Sequence, residues 1–159
     1  MGMVPGPYET LEGQGYPIAR QLSVFLENRV GQLLRLTQLI DTHEVRILGL
    51  SVIDSVDCAV VRLLFDAPDL AKEILAKAGF SVSVAEVIVV KLPAGKQGLL
   101  LVWQCLLSCE INIGYCYPLL PEQIGPALAL SVDNIEMAAD VLIRNHFEVL
   151  GEADLKLDY

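Results

Sequence analysis

The chain predicts an α+β fold in which one six-element unit, strand–helix–strand–strand–helix–strand, is used twice. Three observations carry this. Residues 21–40 (QLSVFLENRVGQLLRLTQLI) switch from a two-residue to a helical apolar period. The elements that follow complete the unit, and landmarks of the first half then recur in the second at matched spacing.

In the opening strand, Leu22, Val24 and Leu26 fall two apart and Phe25 takes the other face, the pattern of a strand covered on much of both sides. From Val30 the apolar residues fall at Leu33, Leu34, Leu36, Leu39 and Ile40, a wide stripe along one side of a helix. Asn28 is of a helix-capping type, and Gly31 lets backbone approach another group closely. The first amides of such a helix have no partner within it and carry the positive end of its dipole, so the turn can hold a carboxylate.

Residues 46–54 (RILGLSVID) and 58–65 (CAVVRLLF) read as strands, and the short link Ser55-Val56-Asp57 forces them to pair antiparallel. Asp66 is the expected cap of the next helix, with Pro68 in its first turn, Leu70, Ile74 and Leu75 at helical spacing, and Gly79 as its stop. A short strand over 80–84 closes the unit, whose order is that of the ferredoxin-like split βαβ.

The second unit reads as a strand over 86–92, a Gly-Lys-Gln-Gly turn, a helix over 99–109, paired strands over 110–118 and 124–131, a helix over 134–145 and a strand over 147–150. Aligning Gly31 with Gly98 places Leu33 on Leu100 and Leu36 on Trp103. Further on, Gly49 meets Gly114, Ser51 meets Cys116, and Ala78-Gly79-Phe80 meets Asn145-His146-Phe147. So many matches imply an internal duplication. Pro126, inside the penultimate strand, signals an edge, a bulge or a late start. The expected organisation is a tail over 1–19, repeats over 20–84 and 85–155, and a short C-terminal tail over 156–159.

Composition narrows the function. The 159 residues allow one ordinary domain or two small ones, and 53% hydrophobic content supplies a core. A net charge of -9 without a basic cluster disfavours nucleic acid; Tyr115 and Tyr117 are paired aromatics with no basic neighbour in sequence. The apolar run from Leu99 is too short to cross a bilayer, which takes about 20 residues, so no membrane partner is expected. The first 20 residues lack the apolar core of a secretory leader. A cytoplasmic location with reduced thiols follows, and Cys58, Cys105, Cys109 and Cys116 are expected as buried structural cysteines. No spacing suggests a metal site or other cofactor. His43 and His146 stand apart from any nucleophile motif, and Asp54 and Asp57 suit a turn, so no catalytic set is expected.

The string FLENRVGQL resembles the strand-to-helix signature of ACT domains, small amino-acid-binding regulatory modules, and the order of elements around it agrees. Two such repeats resemble stand-alone paired ACT proteins and, more distantly, the regulatory tail of aspartokinases. The resemblance implies a non-enzymatic regulator that binds a free amino acid and changes its packing or association in response. The ligand's charged ends would meet the backbone of Asn28, Arg29, Val30, Gly31, Gln32 and Leu33, with Gly49 and Ser51 as the closing wall. In the second repeat, where Pro93 replaces the Asn, Gly95, Lys96, Gln97, Gly98 and Leu99 are the equivalents. The same resemblance implies side-by-side pairing as a homodimer, which the Leu99 helix, apolar on nearly every side, also favours. The rival reading is an interaction module, a regulatory subunit docking on an amino-acid biosynthetic enzyme.

Overall fold

The computed structural model describes residues 16–27 and 30–157. Most of the expected N-terminal tail, Asn28, Arg29 and the last two residues lie outside that range. The described chain runs β1 (Ala19–Glu27), α1 (Gln32–Asp41), β2 (Ile47–Asp54), β3 (Cys58–Phe65), α2 (Pro68–Lys77), β4 (Ser81–Lys91), α3 (Gly98–Leu107), β5 (Ile113–Pro118), β6 (Ala127–Val132), α4 (Ile135–Arg144) and β7 (Val149–Leu150). It is the α+β, antiparallel arrangement of two βαββαβ repeats, with one departure.

The departure lies at the middle of the chain. The two strands expected over 80–84 and 86–92 are a single strand, β4. Its first part pairs antiparallel with β1, from Phe25 opposite Ser81 to Ala19 opposite Val87. Its second part pairs with β6, from Ile88 opposite Leu130 to Lys91 opposite Ala127, and with β7. The last strand of one repeat is therefore the first strand of the next, and the proposed boundary at 84/85 falls inside it. The whole sheet has the order β2-β3-β1-β4-β6-β5, with β7 beside β4.

Side-chain alternation along these strands creates two outer cores and one inner core. On the outer face, α1 and α2 pack Leu36, Ile40, Ala71 and Leu75 against Leu22, Val24, Val61 and Leu63. In the second repeat, α3 and α4 pack Val102, Leu106, Ala138 and Leu142 against Ile88, Val90, Leu128 and Leu130. On the inner face, Ala19, Leu48, Leu64, Val87 and Val89 meet Tyr117, Ala127, Ala129 and Leu150. The inner core joins strands at opposite ends of the sheet order, so the sheet must curl with this face concave. Its two end strands touch: Leu120 donates its backbone N–H to the Leu48 carbonyl at 2.7 Å, and Gly49 bridges to Leu119. Arg20 adds a polar tie, its guanidinium binding Asp69 of α2 at 2.7 Å and Glu152 beyond β7 at 2.6 Å. That guanidinium also holds the Asp69 carboxyl below its ordinary pKa.

Several local expectations are corrected. The cap of α2 is Ala67, while the Asp66 carboxylate accepts the Arg46 backbone N–H at 2.8 Å and ties the start of β2 to the end of β3. β6 starts late, at Ala127, because the left-handed Gly125 and Pro126 occupy the expected beginning. β7 is shorter than expected, only Val149–Leu150, and His146 before it takes a positive φ of 67°. Gly79, its partner in the repeat alignment, has φ 91°, so both second helices end in the same left-handed turn. The four cysteines are free but not buried: Cys58, Cys105 and Cys109 are half-buried and Cys116 is exposed. Among the described residues no helix is long and apolar enough to cross a membrane.

Candidate functional site

The described end of the turn between β1 and α1 is exposed. Val30 is fully exposed, and Gly31 caps α1 in the left-handed region at φ 87°. The cap position thus falls on a residue with no side chain, and Asn28, expected as the cap, lies outside the described residues. The Gly31 carbonyl accepts the Arg35 N–H at 2.9 Å. A Cβ placed on Gly31 would meet nothing within 4 Å among the described residues. The glycine is required here by its backbone conformation, which L side chains resist, and not by tight packing.

Beside this turn lies a cleft of about 400 Å³ lined by Phe25, Leu26, Glu27, Gln32, Arg35, Gly79, Phe80 and Ser81. It is walled by the end of β1, the start of α1 and the turn after α2. Arg35 lies 4.8 Å from the Phe80 ring centroid and donates to the Ala78 carbonyl at 3.3 Å. The cleft thus gathers a guanidinium, a helix N-terminus, the Glu27 carboxylate and an aromatic ring.

Of the residues proposed from sequence, Gln32 lines this cleft, while Val30, Gly31 and Leu33 form its exposed approach. Gly49 and Ser51 do not line it. Gly49 is buried on β2 against the second repeat, where a Cβ would sit 3.1 Å from the Pro118 carbonyl oxygen and 3.2 Å from the Tyr117 ring. Ser51 lies on the same inner face, cross-strand from Arg62. Arg35 and Phe80 were not singled out in the sequence. The signal for Phe80 was present, since it belongs to a segment matched between the repeats.

The second turn is built differently. Gly95 is left-handed at φ 96° and Lys96 is exposed, while Gln97 caps α3. Gly98, the counterpart of Gly31, is buried, and a Cβ on it would lie 2.6 Å from the Pro93 carbonyl oxygen. Its backbone faces the chain's own carbonyl, so the space that is open at Gly31 is filled here. Leu99 is 45% exposed. A cleft of about 480 Å³ between α3 and the end of α4 is lined by Pro93, Leu101, Cys105 and His146, among others, and by no residue of 94–99. Burial raises the Cys105 thiol pKa, which leaves it a poor nucleophile.

A larger cavity of about 680 Å³ opens at the far end of the first repeat, between His43, Arg46, Asp66 and Lys156. Two of its polar groups are engaged locally: His43 Nδ1 lies 2.9 Å from the Leu39 carbonyl, and Asp66 holds the Arg46 amide. Among the described residues no three His, Cys, Asp or Glu side chains converge as a metal site needs.

The seam between the repeats holds a polar cluster. Gln21, fully buried on β1, donates from Nε2 to the Tyr115 hydroxyl and accepts from the Tyr117 hydroxyl, both at 2.8 Å. Arg62 stacks on Tyr115 at 3.6 Å from its centroid. The two tyrosines that lack a basic neighbour in sequence therefore have one in space. Burial raises the Tyr117 phenol pKa, so it remains a neutral donor.

The α3 helix buries Gly98, Val102 and Leu106 but leaves Leu99, Leu100, Leu101 and Leu107 exposed, the last at 72%. The apolar surface anticipated from its sequence is not covered by the rest of the described chain.

A family model described as an ACT domain pair matches residues 18–157. A crystal structure of a protein from Bacteroides thetaiotaomicron superposes with a TM-score of 0.81 at 24% identity, covering 89% of this chain and 97% of that one. The ligand-free regulatory subunit of aspartate kinase from Thermus thermophilus gives 0.56 at 12% identity over 82% and 93% of the two chains. The corresponding subunit from Thermus flavus gives 0.52 at 14%, over 81% and 90%. No curated protein matches the sequence.

Proposed function

Because this chain belongs to the ACT domain pair family, we propose that it is a non-catalytic cytoplasmic regulator that binds a free amino acid beside Gly31 and alters its packing or association in response. The observation that carries this reading is the contrast between the two turns. Among the described residues nothing stands within 4 Å of the Gly31 Cβ position, while the Pro93 carbonyl blocks the one at Gly98. An amino acid is a small zwitterion, and the cleft offers matching ends. The α1 amides and Arg35 face its carboxylate, Glu27 faces its ammonium group, and Phe80 borders its side chain. A ligand that binds one packing arrangement better than another shifts the balance by that difference in affinity. The second turn is left as a weaker candidate, with Lys96 as its only cation.

The direct trial is calorimetric titration of the folded protein with each of the twenty amino acids; silence toward all of them overturns the proposal. Gly31→Val and Gly31→Asn separate two causes of weakened binding. Asn tolerates the left-handed backbone and Val does not, yet both fill the open approach. Both are expected to weaken binding by about tenfold, or roughly 1.4 kcal/mol. Unchanged affinity in Gly31→Asn places the pocket elsewhere.

The second reading, a regulatory subunit that docks on a biosynthetic enzyme, is favoured by the exposed leucines of α3 and by the likeness to aspartate kinase regulatory subunits. A homodimer would use the same face. A pull-down from soluble extract distinguishes them, since a homodimeric sensor returns only itself.

A further inference from the structure

The inner face of the first repeat carries a rung of polar residues in register across four strands. Ser51 pairs with Arg62, Arg62 with Ser23, and Ser23 with Ser83. Across the seam stand Tyr115 and its own cross-strand partner, Ser131. Arg62 is half-buried, yet among the described residues its side chain makes no ion pair and no hydrogen bond and stacks only on the ring of Tyr115. A separation of 3.6 Å from guanidinium carbon to ring centroid is van der Waals contact, which a flat-on stack gives. Such a stack covers one face of the guanidinium and leaves the N–H groups around its edge available. No buried side-chain nitrogen or oxygen in the described chain lacks a partner, so the unpaired N–H groups of Arg62 must face reachable space.

The surroundings are unusual for a chain with a net charge of -9. The rung below Arg62 holds Gln21, Leu64 and Ala85, and the rung above holds Ile53, Val60, Phe25 and Ser81. None is a carboxylate. A cation taken partly out of water without a counter-charge is unfavourable, and here the protein supplies hydroxyls and a ring in place of an acid. On the upper rung, about 7 Å along the strands, Phe25 and Ile53 are 45% and 41% exposed. Cationic and apolar surface thus lie side by side within the span of one small molecule.

We propose that Arg62 is the centre of an oxyanion-binding site in the seam between the repeats. It takes the carboxylate or phosphate of a small molecule whose apolar part lies along Phe25, Val60 and Ile53. The hydroxyls of Ser23, Ser51 and Tyr115 are placed to complete the anion's shell. Gln21 holds the Tyr115 ring under the guanidinium from below, so the stack is set before any ligand arrives. Because Arg62 belongs to the first repeat and Tyr115 to the second, an anion here also ties the repeats together. This site borders the Gly31 cleft, with which it shares Phe25, but its anion is held by Arg62, which does not line that cleft.

The test is arginine side-chain NMR of the full-length protein at constant ionic strength, titrated separately with inorganic phosphate and with phenylacetate. The Arg62 Nε–H resonance is expected to move saturably, and in Gly31→Val it is expected to move just as far. Response to phosphate alone assigns a phosphoryl ligand, response to phenylacetate alone assigns a carboxylate on an apolar body, and response to both assigns a general oxyanion site. Followed through the backbone amide resonances of Ser23, Ser51 and Tyr115, which the variants retain, Arg62→Gln is expected to weaken binding by tenfold or more, and Arg62→Lys, which keeps the charge but not the two-pronged donor geometry, by less. If Arg62→Gln fails to fold, the Arg62→Lys comparison stands by itself. No movement of the Arg62 resonance with either anion, or undiminished binding in a folded Arg62 variant, overturns the assignment.

Discussion

Gln21→Ala is expected to destabilise the fold by about 3 kcal/mol, lowering the melting temperature by roughly 6–12 °C for a chain of this size. Three losses combine. The Tyr115 hydroxyl loses its donor and the Tyr117 hydroxyl its acceptor, both at 2.8 Å. A cavity then opens at a position with no exposure. Tyr117 suffers most, because its hydroxyl sits in the inner core, where an unpaired polar group keeps its full desolvation cost. Tyr117→Phe removes only one hydrogen bond and should cost about 1 kcal/mol. Thermal melts of the two variants check the ordering; equal losses would mean that the Tyr117 bond carries the whole effect and that the cavity and the Tyr115 bond add little.

Gly98→Ala should cost about 2–3 kcal/mol, a larger penalty than Gly31→Ala at about 1–2 kcal/mol. The two glycines match in the repeat but differ in what they are for. At Gly98 the new methyl would lie 2.6 Å from the Pro93 carbonyl oxygen, a backbone atom that cannot swing aside as a side chain would. Relief requires moving the β4–α3 connection or the start of α3, and with it Val102 and Leu106 in the second outer core. At Gly31 there is room, and the cost is the left-handed backbone alone. Denaturant midpoints of the two variants measure the difference. A reversed order would mean that the second turn is as open as the first.

Much of the architecture was legible because it is local. The two-residue period of β1, the helical stripe of α1 and the three-residue link between β2 and β3 each follow from a short stretch of chain. The duplication was legible because its landmarks recur in order. β4 shows where this stops. Residues 81–84 alternate polar with apolar, and 87–90 are wholly apolar, which resembles two strands of different kinds. The change marks only where the strand passes from a partly open setting to one buried on both faces. Glu86 lies within the strand, opposite Arg20 on β1. No Gly, Pro or Asn occurs between Ser81 and Lys91, and that missing turn signal was the available clue.

The candidate residues divide in the same way. Gly31 stood out because a strand-to-helix turn writes itself into adjacent positions, whereas Arg35 and Phe80 reach the cleft from separate elements. The seam was illegible in principle. Gln21 meets Tyr115 and Tyr117 across separations of 94 and 96 residues, and nothing near any of them in sequence names the others. By itself the sequence determined the repeated unit and its element types, because these arise from periodicity and backbone preference within a few residues. Only the tertiary structure decided that the repeats share a strand and close face to face around Gln21. That outcome depends on which buried surfaces fit, and fit is a property of residues far apart in the chain.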